Sequence, residues 1–155
     1  MQKIENRLIQ IKDTISDKAP QISFEFFPPR FNLALEKLKE TILKLEKLNP
    51  EYVSVTYGAG GSTQDSTYEL VKYIKENTSL KPAVHLTCVN ATKEQINKVA
   101  KSYLDINVKH IVALRGDVPG GGKYIPHSNG YAYADDLVAG LKKIGDFDIT
   151  VAAYP

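Results

Sequence analysis

Five short β-branched or aromatic runs recur along the chain. The way their side chains sort by parity constrains the fold more than any other feature. The runs are Ile22–Phe27, Tyr52–Tyr57, Ala83–Cys88, His110–Arg115 and Ile149–Tyr154, each with the length and composition of a strand. They begin roughly every 30 residues, the length of a strand plus a crossover helix leading to a parallel neighbour. Alternation predicts one face carrying Ser23 and Glu25, Ser54 and Thr56, His85 and Thr87, Ala113 and Arg115, and Thr150, Ala152 and Tyr154. The opposite face carries Phe24 and Phe26, Val53 and Val55, Val84 and Leu86, Val112 and Leu114, and Ile149, Val151 and Ala153. An open sheet with helices on both sides should be apolar on both faces. One apolar face and one small or polar face suit a closed barrel with its helices outside and its functional groups at the C-terminal strand ends. The expected fold is therefore α/β, a (β/α)8 TIM barrel rather than a doubly wound sheet.

Helical stripes separate the runs. Leu35, Leu38, Ile42 and Leu45 form one, and Leu70 with Ile74 forms a shorter one. Ile96, Val99, Ala100, Tyr103 and Leu104 form a third, opened by a Thr92/Gln95 capping box. Leu137, Leu141 and Ile144 form the fourth, with Gly145 as its expected stop. Ile4, Leu8, Ile11 and Ile15 predict an amphipathic helix ahead of the first strand. No linker or low-complexity tract interrupts residues 1–155. A complete barrel takes about 250 residues, and this chain ends on a strand at Tyr154-Pro155. The expectation is the N-terminal portion of a single barrel domain, truncated at its C-terminus: five strands, four intervening helices and an N-terminal helix.

Charge and cysteine content narrow the partners. The net charge of +2 comes without a basic block, which argues against nucleic acid and acidic membrane surfaces. The first 18 residues mix charges and lack an unbroken apolar core, so they are neither signal peptide nor membrane span. Cys88 is the single cysteine, which excludes an intrachain disulfide and a cysteine-rich metal cluster. The expected home is a reducing, cytoplasmic one.

Chemistry-bearing residues gather at the strand ends. Residues 57–63, YGAGGST, place three glycines between a strand and a helix, where backbone can approach an anion. The Gly-Lys-Ser/Thr ending of a P-loop is missing, and a plain turn is the bland alternative. His85 lies mid-strand on the polar face; a hydrogen-bonded filler is the commoner role for such a residue, and nothing at ligand spacing suggests zinc. Arg115-Gly116-Asp117 is a surface turn with a local ion pair on the bland view. At a barrel mouth, its arginine suits a phosphate and its aspartate a guanidine-like ring edge. The following V-P-G-G-G-K has the composition of a mobile rim. Glu25 interrupts the apolar stretch QISFEFFPPR, with Phe24 and Phe26 turned to the helices and its carboxylate to the barrel centre. It is either a structural partner of Arg115 or a general acid whose proton affinity rises on desolvation. Pro28 and Pro29 stop its strand sharply.

Together the stretches resemble the methylenetetrahydrofolate reductase family: SFEFFPPR at 23–30, VSVTYGAGGST at 53–63, HLTC at 85–88, LRGD at 114–117, YAYADDLV at 131–138 and DFDITVAAYP at 146–155. They run in that family's order from about residue 20 to the end. The resemblance implies a (β/α)8 barrel holding FAD, with NADH or NADPH as co-substrate, passing hydride in ping-pong fashion to methylenetetrahydrofolate. It implies Glu25 as the acid that opens the folate bridge and Asp117 as a catalytic aspartate near flavin and pterin. It implies cofactor contacts at Thr56 (towards the nicotinamide), Tyr57, Ala59, His85, Arg115, Gly116, Asp117, Ala134 and Tyr154. It also implies a homo-oligomer at full length, working in one-carbon metabolism and methionine biosynthesis. One departure is the segment 120–130, GGGKYIPHSNG, which looks longer than in bacterial relatives. The missing second half of the barrel implies that the 155-residue chain binds FAD weakly or not at all. Two alternatives stand beside this reading. A phosphate-gripping aldolase-type barrel needs a Schiff-base lysine, and none of the five strand ends offers one. A non-catalytic fragment of the same enzyme would lack a cooperative unfolding transition.

Overall fold

A computed structural model describes residues 21–29, 32–57 and 64–153. The expected N-terminal helix, the glycine run at 58–63 with Ala59, and Tyr154 lie outside the described residues. The elements alternate as β1 (Ser23–Phe26), α1 (Asn32–Glu46), β2 (Tyr52–Val55), α2 (Gln64–Asn77), β3 (Pro82–Thr87), α3 (Lys93–Asp105), β4 (His110–Leu114), α4 (Ala134–Ile144) and β5 (Asp148–Val151). All five expected strands are present, each ending one to three residues before its expected C-terminal bound. The described helices are each too short or too polar to cross a membrane.

The strands form one parallel sheet in the order β1-β2-β3-β4-β5. A doubly wound sheet reverses its strand order at a switch point, and this sheet does not. Each crossover steps the same way, and parallel crossovers are right-handed, so the helices fall on one face. This is the arrangement of five successive strands of a (β/α)8 barrel with the four helices between them. Burial agrees. Val53, Val55, Val84, Leu86, Ile111 and Ala113 are fully buried, packed with Ile42, Leu70, Ile74, Ala100, Tyr103, Leu137 and Leu141 from the helices. A fully buried aliphatic side chain contributes about 1.5–3 kcal/mol. A one-residue slip would turn every such side chain to the other face, so register is firmly specified.

The register places Glu25, Ser54, Ala83, His110 and Asp148 on one level of the inner face, with His85, Val112 and Thr150 on the next. This corrects the expected parity of β4. Ala113 faces the helices, while Val112 and Leu114 belong to the inner face beside His85 and Thr87. The physical reason is that Ile111 and Ala113 fill the space against the helix layer; a charged residue at the strand's end had suggested the opposite phase. The inner face is therefore not polar in every strand.

Local signals hold where side chains make them. The capping box opens α3: Gln95 N–H donates to Thr92 Oγ1 (3.2 Å) and Thr92 N–H donates to Gln95 Oε1 (2.9 Å). Gly145 ends α4 as expected, in extended backbone (φ −174°).

Candidate functional site

β1 stops at Phe26 ahead of Pro28-Pro29, and Phe26 is buried among the helices. Alternation therefore turns Glu25 inward, as the sequence predicts. Its partner is not Arg115 but His85: Glu25 Oε2 lies 3.2 Å from His85 Nε2. The imidazole is largely buried and the carboxylate side chain is about half exposed, 14% against 47%, so the carboxyl is not the deeply desolvated group the sequence suggested. Burial pushes the His85 imidazole below its usual pKa, with the Glu25 charge pulling the other way. A neutral imidazole can accept from a protonated carboxyl or donate to an ionised one. The same contact therefore serves both protonation states of Glu25.

A second cluster forms where β4 meets α4. Arg115, Gly116 and Asp117 leave the strand, and together with Tyr133, Ala134, Asp135 and Ala152 they line a cavity of about 470 Å³. Gly116 sits at φ +85°, and a Cβ there would lie 2.6 Å from Val89 Cγ1 and 2.8 Å from Thr87 Cβ, so only glycine fits. This turn carries Arg115 to the cavity, although by strand parity it would point to the helices. Arg115 Nε donates to the Gly116 carbonyl (3.0 Å), and its guanidinium lies 4.9 Å from the ring centre of Tyr124.

Thr56 follows β2, donating its N–H to Phe26 O (2.9 Å) and accepting at its carbonyl from Thr67 Oγ1 (2.9 Å). The Tyr57 side chain turns to the helix layer instead of the barrel interior. It lines a separate cavity of about 370 Å³ with Thr87, Asn90, Gln95 and Lys98. Burial raises its phenol pKa, and the Asp65 charge adds to this. The expected site residues are thus brought together as two groups. Glu25 and His85 meet on the inner face; Arg115, Gly116, Asp117 and Ala134 meet at the mouth. Asp117 stands three strands from Glu25 in the sheet order. No sequence signal marks Tyr124, which lies in a glycine-rich loop without periodicity, or His110, whose Nε2 lies 2.9 Å from Thr150 Oγ1 on the inner face.

The mouth suits a nucleotide-like group. A guanidinium stands beside the start of α4, whose N-cap Tyr133 is extended and makes no side-chain capping bond. Such donors favour a phosphate. Asp117 and Asp135 on the same wall suit sugar hydroxyls or ring N–H groups. The volume lies in the range of small-molecule pockets.

The fold and site define a partial α/β barrel with an acid–imidazole pair inside and a phosphate-compatible mouth. A family profile described as methylenetetrahydrofolate reductase matches residues 10–155. The chain is 51% identical over 135 residues to the 5,10-methylenetetrahydrofolate reductase of Pectobacterium carotovorum subsp. carotovorum, covering 86% of this chain and 43% of that protein. It is 48% identical over 135 residues to the Escherichia coli (strain K12) protein of that name, covering 86% and 44%. A rice (Oryza sativa subsp. japonica) protein named probable methylenetetrahydrofolate reductase (NADH) is 36% identical over 149 residues, covering 94% and 25%. The chain belongs to the methylenetetrahydrofolate reductase family. It spans less than half the length of these curated relatives.

Proposed function

We propose that the whole protein carrying this chain reduces 5,10-methylenetetrahydrofolate to 5-methyltetrahydrofolate, with FAD as cofactor and NADH or NADPH as electron donor. The observation that carries this is the Glu25–His85 contact at 3.2 Å on the inner face of a barrel of this family. When bound, FAD would supply the two-electron relay between nicotinamide and folate, in ping-pong order. Glu25 gives a proton to the folate nitrogen, opening the bridge to an electrophilic iminium. His85 holds the carboxyl in place before and after that transfer, since either tautomer of a neutral imidazole can meet it. Arg115 and the start of α4 would hold the phosphate end of the cofactor, Asp117 would set the charge next to its ring, and Thr56 would meet the nicotinamide. The protein would work as a cytoplasmic homo-oligomer of one-carbon metabolism.

The Glu25→Gln change in the whole protein tests the assignment. The folate half-reaction should fall by about 10²–10⁴-fold, the range for a lost general acid, while flavin reduction by NAD(P)H is spared. An unaffected folate half-reaction ends the assignment. For the 155-residue chain alone, β1 and β5 each pair on one side only, and Phe27 and Val151 are more than half exposed. Open edges and an uncovered inner face favour association over a finished site. The isolated chain therefore binds FAD weakly or not at all; a yellow, monomeric and active 155-residue product would overturn this.

A further inference from the structure

The loop between β4 and α4 contains a second aromatic device at the mouth. Gly120, Gly121 and Gly122 take left-handed backbone (φ +78°, +78° and +106°) with open space around each. A turn closed by Gly121 N–H donating to the Val118 carbonyl (2.9 Å) precedes Tyr124. The Tyr124 phenol donates to the carbonyl of Ala132, and its ring meets Tyr133 edge-on at 5.6 Å. Tyr133 is the N-cap of α4, so the ring is anchored to the element that forms the cavity's far wall. Its face is stacked by Arg115 at 4.9 Å. The guanidinium is thus held twice, by Nε on the Gly116 carbonyl and by its position over the Tyr124 ring. Among the described residues its terminal nitrogens meet no carboxylate, although Asp117 and Asp135 line the same cavity. An arginine held by Nε and over a ring keeps its two terminal nitrogens for a ligand, and their parallel N–H donors can grip a phosphate bidentately.

We propose that Tyr124 is a positioning residue that presets the Arg115 guanidinium for the phosphate portion of a dinucleotide cofactor. The proposal rests on the flavin reading above and adds to it a residue from the long 120–130 segment. A preformed arginine loses less side-chain freedom on binding than a mobile one, so the gain should fall on phosphate-bearing ligands alone.

The test is equilibrium binding to the whole apoprotein, with FAD and with riboflavin, which lacks phosphate, both followed by flavin fluorescence. Tyr124→Leu should weaken FAD binding about 2- to 5-fold, the effect of one exposed cation–π contact, and leave riboflavin unchanged. Tyr124→Phe keeps the ring and should retain most of the FAD affinity. In an Arg115→Leu background, Tyr124→Leu should have no further effect. Equal weakening of FAD and riboflavin would mean a merely structural role and would overturn the proposal. So would an undiminished FAD affinity in Tyr124→Leu, or additive losses in the double variant. Wild-type protein that binds riboflavin and FAD equally also overturns it while leaving a flavin site standing; binding of neither defeats the flavin reading along with it.

Discussion

Replacing Gly140 by alanine should destabilise the protein, although alanine is the better helix former. Gly140 lies inside α4, and a Cβ there would fall 2.2 Å from Tyr131 Oη and 2.3 Å from its Cε1 and Cζ. Two ring atoms and the hydroxyl oxygen are involved, so a small rotation of one tip does not relieve the clash, and the ring must move as a body. Tyr131 is only 7% exposed, and its hydroxyl donates to Asn97 Oδ1 on α3 at 2.8 Å. Moving it forfeits most of a buried aromatic contact, about 1.5–3 kcal/mol, and a hydrogen bond of about 0.5–1.5 kcal/mol. The helix gains about 1 kcal/mol from losing its glycine. The balance is a net loss of about 1–3 kcal/mol. The assay is the urea unfolding midpoint of the whole protein, read by circular dichroism at constant slope. The decisive comparison uses a Tyr131→Ala background. With the ring gone, Gly140→Ala should become stabilising by about 1 kcal/mol, reversing its sign. A Gly140→Ala variant that is more stable than wild type, or one whose effect is the same in both backgrounds, would refute this account of how α3 and α4 are locked together.

Other outcomes follow from the same structure. His85 is held below its ordinary value of 6.5 by burial, so below about pH 6.5 the unfolded chain binds a proton that the folded chain refuses. Stability should therefore fall as pH drops below that value, and His85→Gln should flatten this slope in pH-dependent unfolding; an unchanged slope would exclude His85 as its source. Thr92→Ala removes the capping box of α3 and should cost about 1 kcal/mol, measured by the same unfolding midpoint. Gly116→Ala forces a side chain into φ +85° against Val89 and Thr87; FAD affinity should drop with stability because Arg115 and Asp117 flank the displaced turn.

What could be read before folding was whatever depends on near neighbours in the chain. Thr92 and Gln95 sit three apart and cap each other in any helix that starts there. Phe24, Glu25 and Phe26 alternate whatever lies across the sheet, so the inward aim of Glu25 follows from β1 alone. The βα rhythm likewise gave the parallel sheet, and the family motifs gave the kinship. Contacts between distant residues were another matter. His85 as the partner of Glu25 depends on β1 and β3 standing two strands apart on one curved face, which no local pattern encodes. In β4, local composition pointed the wrong way: Arg115 suggested an inward phase, and the packing of Ile111 and Ala113 against the helices imposed the opposite one. Tyr124 meets Arg115 across a loop in which three glycines take left-handed backbone, a contact between residues nine apart that no periodicity signals. Sequence alone determined periodicity, caps and the alternation of side chains along each strand, because these are set by backbone geometry within a few residues. Only the tertiary structure decided pairing, because burial energy is shared among side chains far apart in the chain and overrides local preference.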